Sequence, residues 1–145
     1  MKLNVTIEID GTEVKDVKVN VINEPEENPK HDYSIYARFF DEDNPHWNFD
    51  PERNLMFLKQ VEVIANTKLR TQGYLFLNDV YEMLGLERSK AGQLVGWIYD
   101  KENPIGDNYV SFGIFNAGNE DFVNKRKNSV LLDFNVDGNI FERMN

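Results

Sequence analysis

The chain of 145 residues contains no cysteine and only two histidines, His31 and His46. Without cysteine it forms no disulfide, has no thiolate nucleophile and lacks the commonest ligand of structural zinc sites. It also has no apolar run approaching the roughly 20 residues of a membrane-spanning helix. Residues 1–10 (MKLNVTIEID) alternate and carry charge, so we expect no secretory signal, no membrane association and a cytoplasmic protein.

Basic residues are in short supply, with 16 Lys and Arg against 25 Asp and Glu, for a net charge of −9. This balance argues against direct binding to nucleic acid or to an anionic membrane, because both need a surplus of basic residues. It allows the opposite arrangement, in which an acidic surface occupies a basic groove on a partner as a nucleic-acid mimic would. The apolar content of 41% is that of an ordinary globular core.

Familiar catalytic signatures are missing as well: there is no glycine-rich phosphate loop, no G-x-S-x-G and no H-E-x-x-H. His46 lies beside Trp47 and close to Asp41, Glu42 and Asp43, which is a conceivable metal or general-base corner. A single histidine after a proline in a turn is more often plain surface polarity. We therefore expect neither an enzyme nor a cofactor.

One motif resembles the first half of a calcium-binding loop. Asp133, Asn135 and Asp137, followed by Gly138, match D-x-[DN]-x-[DN]-G. The twelfth position, where a bidentate glutamate closes the calcium shell, is Met144. The alternative is a strand that ends in an Asp-Gly turn, and we prefer it while retaining the three side chains as a calcium candidate.

The N-terminal part predicts a β-hairpin. Residues 3–9 and 17–21 alternate apolar with polar side chains, and Asp10-Gly11 between them is a turn signal. Residues 22–30 (INEPEENPK) have the composition of a linker. The predicted domains are therefore residues 1–28, a hairpin appendage with an acidic, proline-containing linker, and residues 31–145, a single α+β module.

A long helix is predicted after residue 50. Asp50 is a suitable N-cap, Pro51 suits the first helical position, and Gly73 is a suitable left-handed C-terminal residue. One predicted face is apolar and comprises Phe57, Leu58, Val61, Ile64, Ala65 and Leu69. Met56 and Val63 fall on the opposite side, either as exposed apolar residues or as a second packing surface for the hairpin or another subunit.

A second, shorter helix is predicted after residue 77, with Asn78 as its N-cap and Gly85 as its C-terminal glycine. Ser89 is predicted to cap a further short turn. Gly92 and Gly96 indicate places where another group approaches the backbone closely.

Strands are expected at residues 33–40, 97–99, 109–115 and 129–136, and residues 116–125 should be a loop with one helical turn. The Asp-Gly turn at residues 137–138 leads to a short final segment. The predicted fold is α+β, with two helices and a short helical turn packed on an antiparallel β-sheet, plus the N-terminal hairpin.

Several short motifs carry a family resemblance: residues 36–41 (YARFFD), 76–81 (FLNDVY), 90–92 (KAG), 95–97 (VGW), 106–108 (GDN), 121–124 (DFVN) and 131–138 (LLDFNVDG). On these motifs residues 33–145 resemble an uncharacterised family of phage and prophage proteins of Gram-positive bacteria. The resemblance implies a viral or mobile-element origin and assigns no activity or functional residue.

The hypothesis that fits best is a non-enzymatic phage or prophage accessory protein that binds a protein partner, as a host-takeover or counter-defence inhibitor. The alternatives are a virion structural or assembly component and an acidic nucleic-acid mimic. The partner would be a bacterial host protein or a virion neighbour, with homo-oligomers possible, and the location the host cytoplasm or the virion. The candidate interaction residues are Asp41, Glu42, Asp43, Trp47, Met56 and Val63.

Overall fold

The computed structural model describes residues 34–144, which form three α-helices and five short β-strands. The helices are α1 (Pro51–Gln72), α2 (Leu77–Met83) and α3 (Glu120–Val123), and the strands are β1 (Arg38–Asp41), β2 (Tyr74–Phe76), β3 (Val95–Ile98), β4 (Ser129–Leu132) and β5 (Gly138–Asn139). Single 3₁₀ turns lie at Ala91–Gln93 and Phe141–Met144. The α+β fold class is confirmed, while the predicted hairpin and His31 lie outside the described residues.

The strands form two antiparallel sheets. β1 pairs with β4, and β3 lies between β2 and β5. The core contains Phe40 from the first sheet, Trp97 from the second and Leu58 from α1, all fully buried. Both sheets and α1 therefore contribute to one hydrophobic core.

α1 begins and ends where the sequence predicts. The Asp50 carboxylate accepts the Glu52 N–H at 3.0 Å, and Pro51 occupies the first helical position, where no donor is needed. At the other end Gly73 has φ 89°, and its N–H donates to the Leu69 carbonyl at 2.8 Å. These signals are local in the sequence, so the helix could be predicted from it alone.

The buried face of α1 is narrower than predicted. The helix buries Asn54, Leu58, Val61, Ala65 and Leu69. Ile64 is 47% exposed, because a 3.6-residue period places it next to Val63 at the margin of the outer surface rather than over the core.

The N-cap prediction for Asn78 is wrong. β2 runs directly into α2, so the N-cap position falls to Phe76, which makes no side-chain cap. Asn78 lies inside the first turn and is buried, and its amide exchanges two hydrogen bonds of 2.9 Å with the Ser89 backbone. The asparagine thus connects α2 to the following loop.

The glycine predictions for this segment are confirmed. Gly85 has φ 75°, and the Leu86 N–H reaches the Tyr81 carbonyl at 2.8 Å, as in a Schellman motif. A Cβ on Gly96 would lie 2.0 Å from the Leu75 carbonyl oxygen, and one on Gly92 would lie 2.1 Å from an Asn78 side-chain oxygen. Ser89 caps the 3₁₀ turn by accepting the Gly92 N–H at 3.0 Å.

Three strand predictions need correction. β1 begins only at Arg38, because residues 34–37 form a turn closed by the Ala37 N–H on the Ser34 carbonyl. β3 begins at Val95, two residues before the predicted start, and β4 ends at Leu132 instead of residue 136.

Residues 109–115 form no strand. Three consecutive backbone N–H groups in this segment donate to side chains: Val110 to Asn66 Oδ1 at 2.8 Å, Ser111 to Asn135 Oδ1 at 2.7 Å and Phe112 to Glu62 Oε2 at 2.8 Å. The Phe112 and Ser111 carbonyls accept the backbone N–H groups of Asp133 and Asn135 at 3.0 and 3.3 Å. Side chains therefore take the N–H groups of this segment, and no regular ladder forms.

Candidate interaction surface

The outward side of α1 exposes a group of apolar residues, here called the outer face of α1 (Met56, Val63 and Ile64). Met56 is 63% exposed and Val63 is 64% exposed. They lie seven positions apart, close to two full turns, so both side chains point the same way. The predicted exposure of these two residues agrees with the structure.

An open groove of about 420 Å³ lies beside this face, between α1 and the loop that precedes it. Its lining residues are His46, Asn48, Arg53, Met56, Phe57 and Gln60. Met56 belongs to both features, so the groove and the outer face of α1 form one continuous surface. Sequence periodicity cannot reveal the groove, because one of its walls is a loop that folds back on the helix.

His46 forms a wall of the groove. Its ring stacks on Phe57 with centroids 4.9 Å apart and an interplanar angle of 28°. The backbone N–H of His46 donates to the Asn44 side-chain oxygen at 2.8 Å, while the Asn44 side-chain amide donates to the Leu84 carbonyl at 2.8 Å. The loop is therefore attached to both α1 and the end of α2.

The acidic loop (residues 41–43) joins β1 to this wall. Asp41 accepts the Asp43 N–H at 3.0 Å, and the side chains of Glu42 and Asp43 are exposed. Trp47, predicted as a contact residue, is half-buried and packs on Phe40 with ring centroids 5.4 Å apart. Trp47 therefore supports the loop from within, and the two exposed acids precede the groove wall in the chain.

The three calcium-candidate side chains have different partners within the protein. Asp133 accepts the Ser34 hydroxyl at 3.0 Å, and Asp137 accepts the Ile98 N–H at 2.9 Å. The Asn135 oxygen already accepts the Trp97 Nε1–H at 2.9 Å and a backbone N–H. Within residues 34–144 no group of three or more His, Cys, Asp or Glu lies where it could hold a metal ion.

The surroundings of the Asp137 carboxyl shift its pKa. Partial burial raises the pKa of Asp137, and the neighbouring Asp107 carboxylate raises it further. The Ile98 N–H and the Arg143 guanidinium oppose this rise in pKa. Its position at the β3–β5 junction gives it a structural part in the fold.

Polar residues inside the fold were missed from the sequence. Asn66 spans from α1 to Val110, and the buried Asn119 holds the backbone of Leu131. A polar residue within an apolar helical face, such as Asn54 in α1, is the one sequence signal for a buried amide that bonds to the backbone of another segment. Which backbone each amide meets depends on the tertiary fold.

Among known protein families, the family of unknown function DUF6353 matches residues 2–144. No curated protein and no solved structure matches the chain. Among residues 34–144, no helix is both long and apolar enough to cross a membrane.

Proposed function

This chain belongs to DUF6353, a family of unknown function, and we propose that it is a non-enzymatic protein that binds a protein partner. The binding site is the outer face of α1 together with the adjoining groove. The proposal assigns the partner a surface with an apolar patch and basic residues that face the acidic loop.

The observation that carries this proposal is that α1 has apolar residues on both sides. One side fills the core, whereas Met56 and Val63 on the other are each more than half exposed. A second apolar stripe next to a groove is the feature of a helix that packs against two neighbours. Methionine, phenylalanine and arginine, which line the groove as Met56, Phe57 and Arg53, are enriched in protein interfaces.

Charge indicates the kind of partner. The chain carries a net charge of −9, and the acidic loop lies at the end of β1, next to the groove wall. The exposed acids of this loop favour partners with lysine and arginine in matching positions and speed their association. The resemblance to phage and prophage proteins supports a bacterial host protein as the partner, which the chain would inhibit in a host-takeover or counter-defence role.

Two alternatives make different use of the same features. In a virion or assembly component, the outer face of α1 would pack against a second copy or a neighbouring subunit, and the spacing of Met56 and Val63 suits a helix–helix contact. In a nucleic-acid mimic, Glu42 and Asp43 would stand in for phosphates. The apolar face favours the first alternative over the second.

The test uses the full chain as bait in a bacterial lysate, with Met56→Gln and Val63→Gln combined in one variant. Glutamine matches methionine in length and is at least as good a helix former as methionine or valine, and both sites are exposed, so the change removes the apolar surface without destabilising the helix. A specific partner should bind the double variant about tenfold less tightly or worse. Thr71→Gln, at an exposed position in the last turn of the same helix, is the matched control.

Each outcome decides between the candidates. A protein captured equally by the wild type and the double variant, or no captured protein at all, would overturn the proposal. Light scattering separates the assembly alternative, since a dimer that dissociates only in the double variant would place a second copy on this face.

A further inference from the structure

The backbone of β1 presents an outer edge whose orientation follows from its partner strand. Phe39 lies directly opposite Leu131 in the β1–β4 register. The Asn119 side chain bonds both backbone groups of Leu131, donating to its carbonyl at 3.0 Å and accepting its N–H at 3.4 Å. The backbone N–H and C=O of Leu131 therefore point away from β1. In an antiparallel ladder, the N–H and C=O of the opposite residue, Phe39, must then point away from β4.

The two outer edges of this small sheet thus differ in whether their outward backbone groups have hydrogen-bond partners. On β4 the outward N–H and C=O are satisfied by Asn119. On β1 the outward groups of Phe39 meet no hydrogen-bond partner among residues 34–144. The Phe39 side chain is 60% exposed. An edge of this kind is a template for another strand.

The edge is also held rigidly in place. The neighbouring Phe40 is fully buried and stacks on Phe57 with ring centroids 5.7 Å apart. At the start of β1, Arg38 donates to the carbonyls of Ile35 and Ala37 and lies over the Tyr81 ring at 5.1 Å. Because packing at Phe40 and hydrogen bonds at Arg38 already hold the strand in place, it loses little conformational entropy when a partner strand binds.

We propose that the outer edge of β1 receives an extended segment of the protein partner as an added β-strand. The inference rests on the proposed function and adds that part of the partner binds as a β-strand. The segment pairs its backbone with Phe39, places a β-branched side chain beside the Phe39 ring and directs lysine or arginine towards the acidic loop. The exposed carboxylates of Glu42 and Asp43 supply the charge complementarity, and the net charge of −9 reinforces it.

The first experiment is amide hydrogen exchange of the ¹⁵N-labelled full chain. The Phe39 N–H should exchange rapidly in the free protein and slow by about tenfold or more with saturating acetyl-Lys-Lys-Thr-Val-Thr-Val-Thr-Val-amide. The same peptide N-methylated on every residue keeps its side chains but loses all its backbone donors, so it cannot form a ladder with β1 and should give no protection. A Phe39 N–H already protected in the free chain, or unaffected by the first peptide, would overturn the inference.

Charge is tested on the same peptide. Glu42→Gln combined with Asp43→Asn should weaken binding by about threefold to tenfold, the range expected for two exposed charge pairs. Glu87→Gln combined with Glu102→Gln removes two exposed acids outside the loop and serves as the matched control. Equal weakening by both pairs of changes would show a nonspecific charge effect and would count against the assigned edge.

Capture from lysate distinguishes this inference from the proposed function. Phe39→Pro removes the outward N–H without breaking a β1–β4 hydrogen bond, whereas Phe39→Thr retains that N–H. Loss of the partner in Phe39→Pro, with retention in Phe39→Thr, is expected. If the Met56 and Val63 double variant loses the partner while Phe39→Pro keeps it, the proposed function stands and the β1 edge is excluded. A dimer of the free chain that Phe39→Pro dissociates would place a second copy on the edge and overturn the inference.

Discussion

The side chain of Asn135 joins segments that no strand pairing connects. Its oxygen accepts the Trp97 Nε1–H and the Ser111 N–H, and its nitrogen donates to an Asp107 oxygen at 2.9 Å and the Tyr109 carbonyl at 3.0 Å. Both lone pairs and both donors of the amide are therefore used. The direction of the amide is determined by the Trp97 indole, which can only donate.

Asn135→Asp should lower the free energy of unfolding by about 2–4 kcal/mol. The change removes both donors and places a carboxylate next to the Asp107 carboxylate, so two hydrogen bonds are replaced by a repulsion. Urea unfolding at pH 7 measures the difference. Asn103→Asp, at an exposed site, is the control and should stay within about 0.5 kcal/mol of the wild type. A similar small change at Asn135 would contradict the network described here.

The same geometry bears on calcium. To bind calcium, the Asn135 oxygen would have to lose its hydrogen bonds from the Trp97 indole and a backbone N–H. Asp133 and Asp137 are likewise hydrogen-bonded to other segments. We therefore expect millimolar Ca²⁺ to leave the Tm of the wild-type protein unchanged in a thermal scan. A Tm that rises with Ca²⁺ and stays constant with Mg²⁺ would restore the calcium candidate.

Asp137 is expected to make the stability of the protein depend on pH, with a sign that follows from its raised pKa. Burial and Asp107 hold the pKa of Asp137 above its ordinary value, so the folded chain binds this proton more tightly than the unfolded chain does. The resulting contribution to stability is fully present below the ordinary pKa of about 3.9 and is lost as the pH rises through the raised value.

Asp137→Asn removes this titration. The free energy of unfolding of the variant, relative to that of the wild type, should therefore be higher at pH 7 than at pH 3. The Asn oxygen can still accept the Ile98 N–H. Urea unfolding of both proteins at the two pH values gives the comparison. A stability difference that is the same at pH 3 and pH 7 would show that the Asp137 pKa is not raised.

At the scale of the elements, the N-cap of α1 is the clearest local determinant. Asp50→Ala leaves a first-turn N–H without its acceptor and should destabilise the protein by about 1 kcal/mol. Asp50→Asn keeps an equally good capping oxygen and should change stability by only a few tenths of that value. Thermal and urea unfolding measure both variants. Equal losses would indicate that the Asp50 charge, which also faces Arg53 at 3.7 Å, matters more than the cap.

α1 and the segment at residues 109–115 show where prediction from sequence succeeds and where it fails. The N-cap, the proline and the C-terminal glycine lie within the helix or directly beside it, so both ends could be predicted. The segment has an alternating pattern typical of a strand, yet its amides bond to Asn66, Glu62 and Asn135. Those partners are distant in sequence, and no local pattern reports them.

Some features of the candidate surface could be predicted from the sequence, and others could not. Exposure of Met56 and Val63 follows from helical period alone, and the acids of residues 41–43 are visible in the composition. The groove requires His46 to fold back onto Phe57, and the outer edge of β1 requires the β1–β4 register. Trp47 was predicted as a contact and is half-buried, because aromatic character alone does not distinguish a contact residue from a core residue.

For the whole molecule, the acidic surplus acts over distances longer than any single contact. A net charge of −9 attracts a basic partner before the surfaces touch, and exposed charges are screened within about 8 Å at physiological salt. The apolar residues of α1 act only after contact. Electrostatic and apolar contributions should therefore separate in a salt titration.

We expect the affinity for the captured partner to fall as salt rises from about 50 to 500 mM, mainly through slower association. The Met56→Gln and Val63→Gln double variant should lose affinity through faster dissociation while keeping the same salt dependence. The Glu42→Gln and Asp43→Asn double variant should show a shallower salt dependence and an almost unchanged dissociation rate. Surface plasmon resonance at several salt concentrations measures both rates. If the α1 variant altered the salt dependence and the loop variant did not, the roles assigned to the two parts of the surface would be reversed.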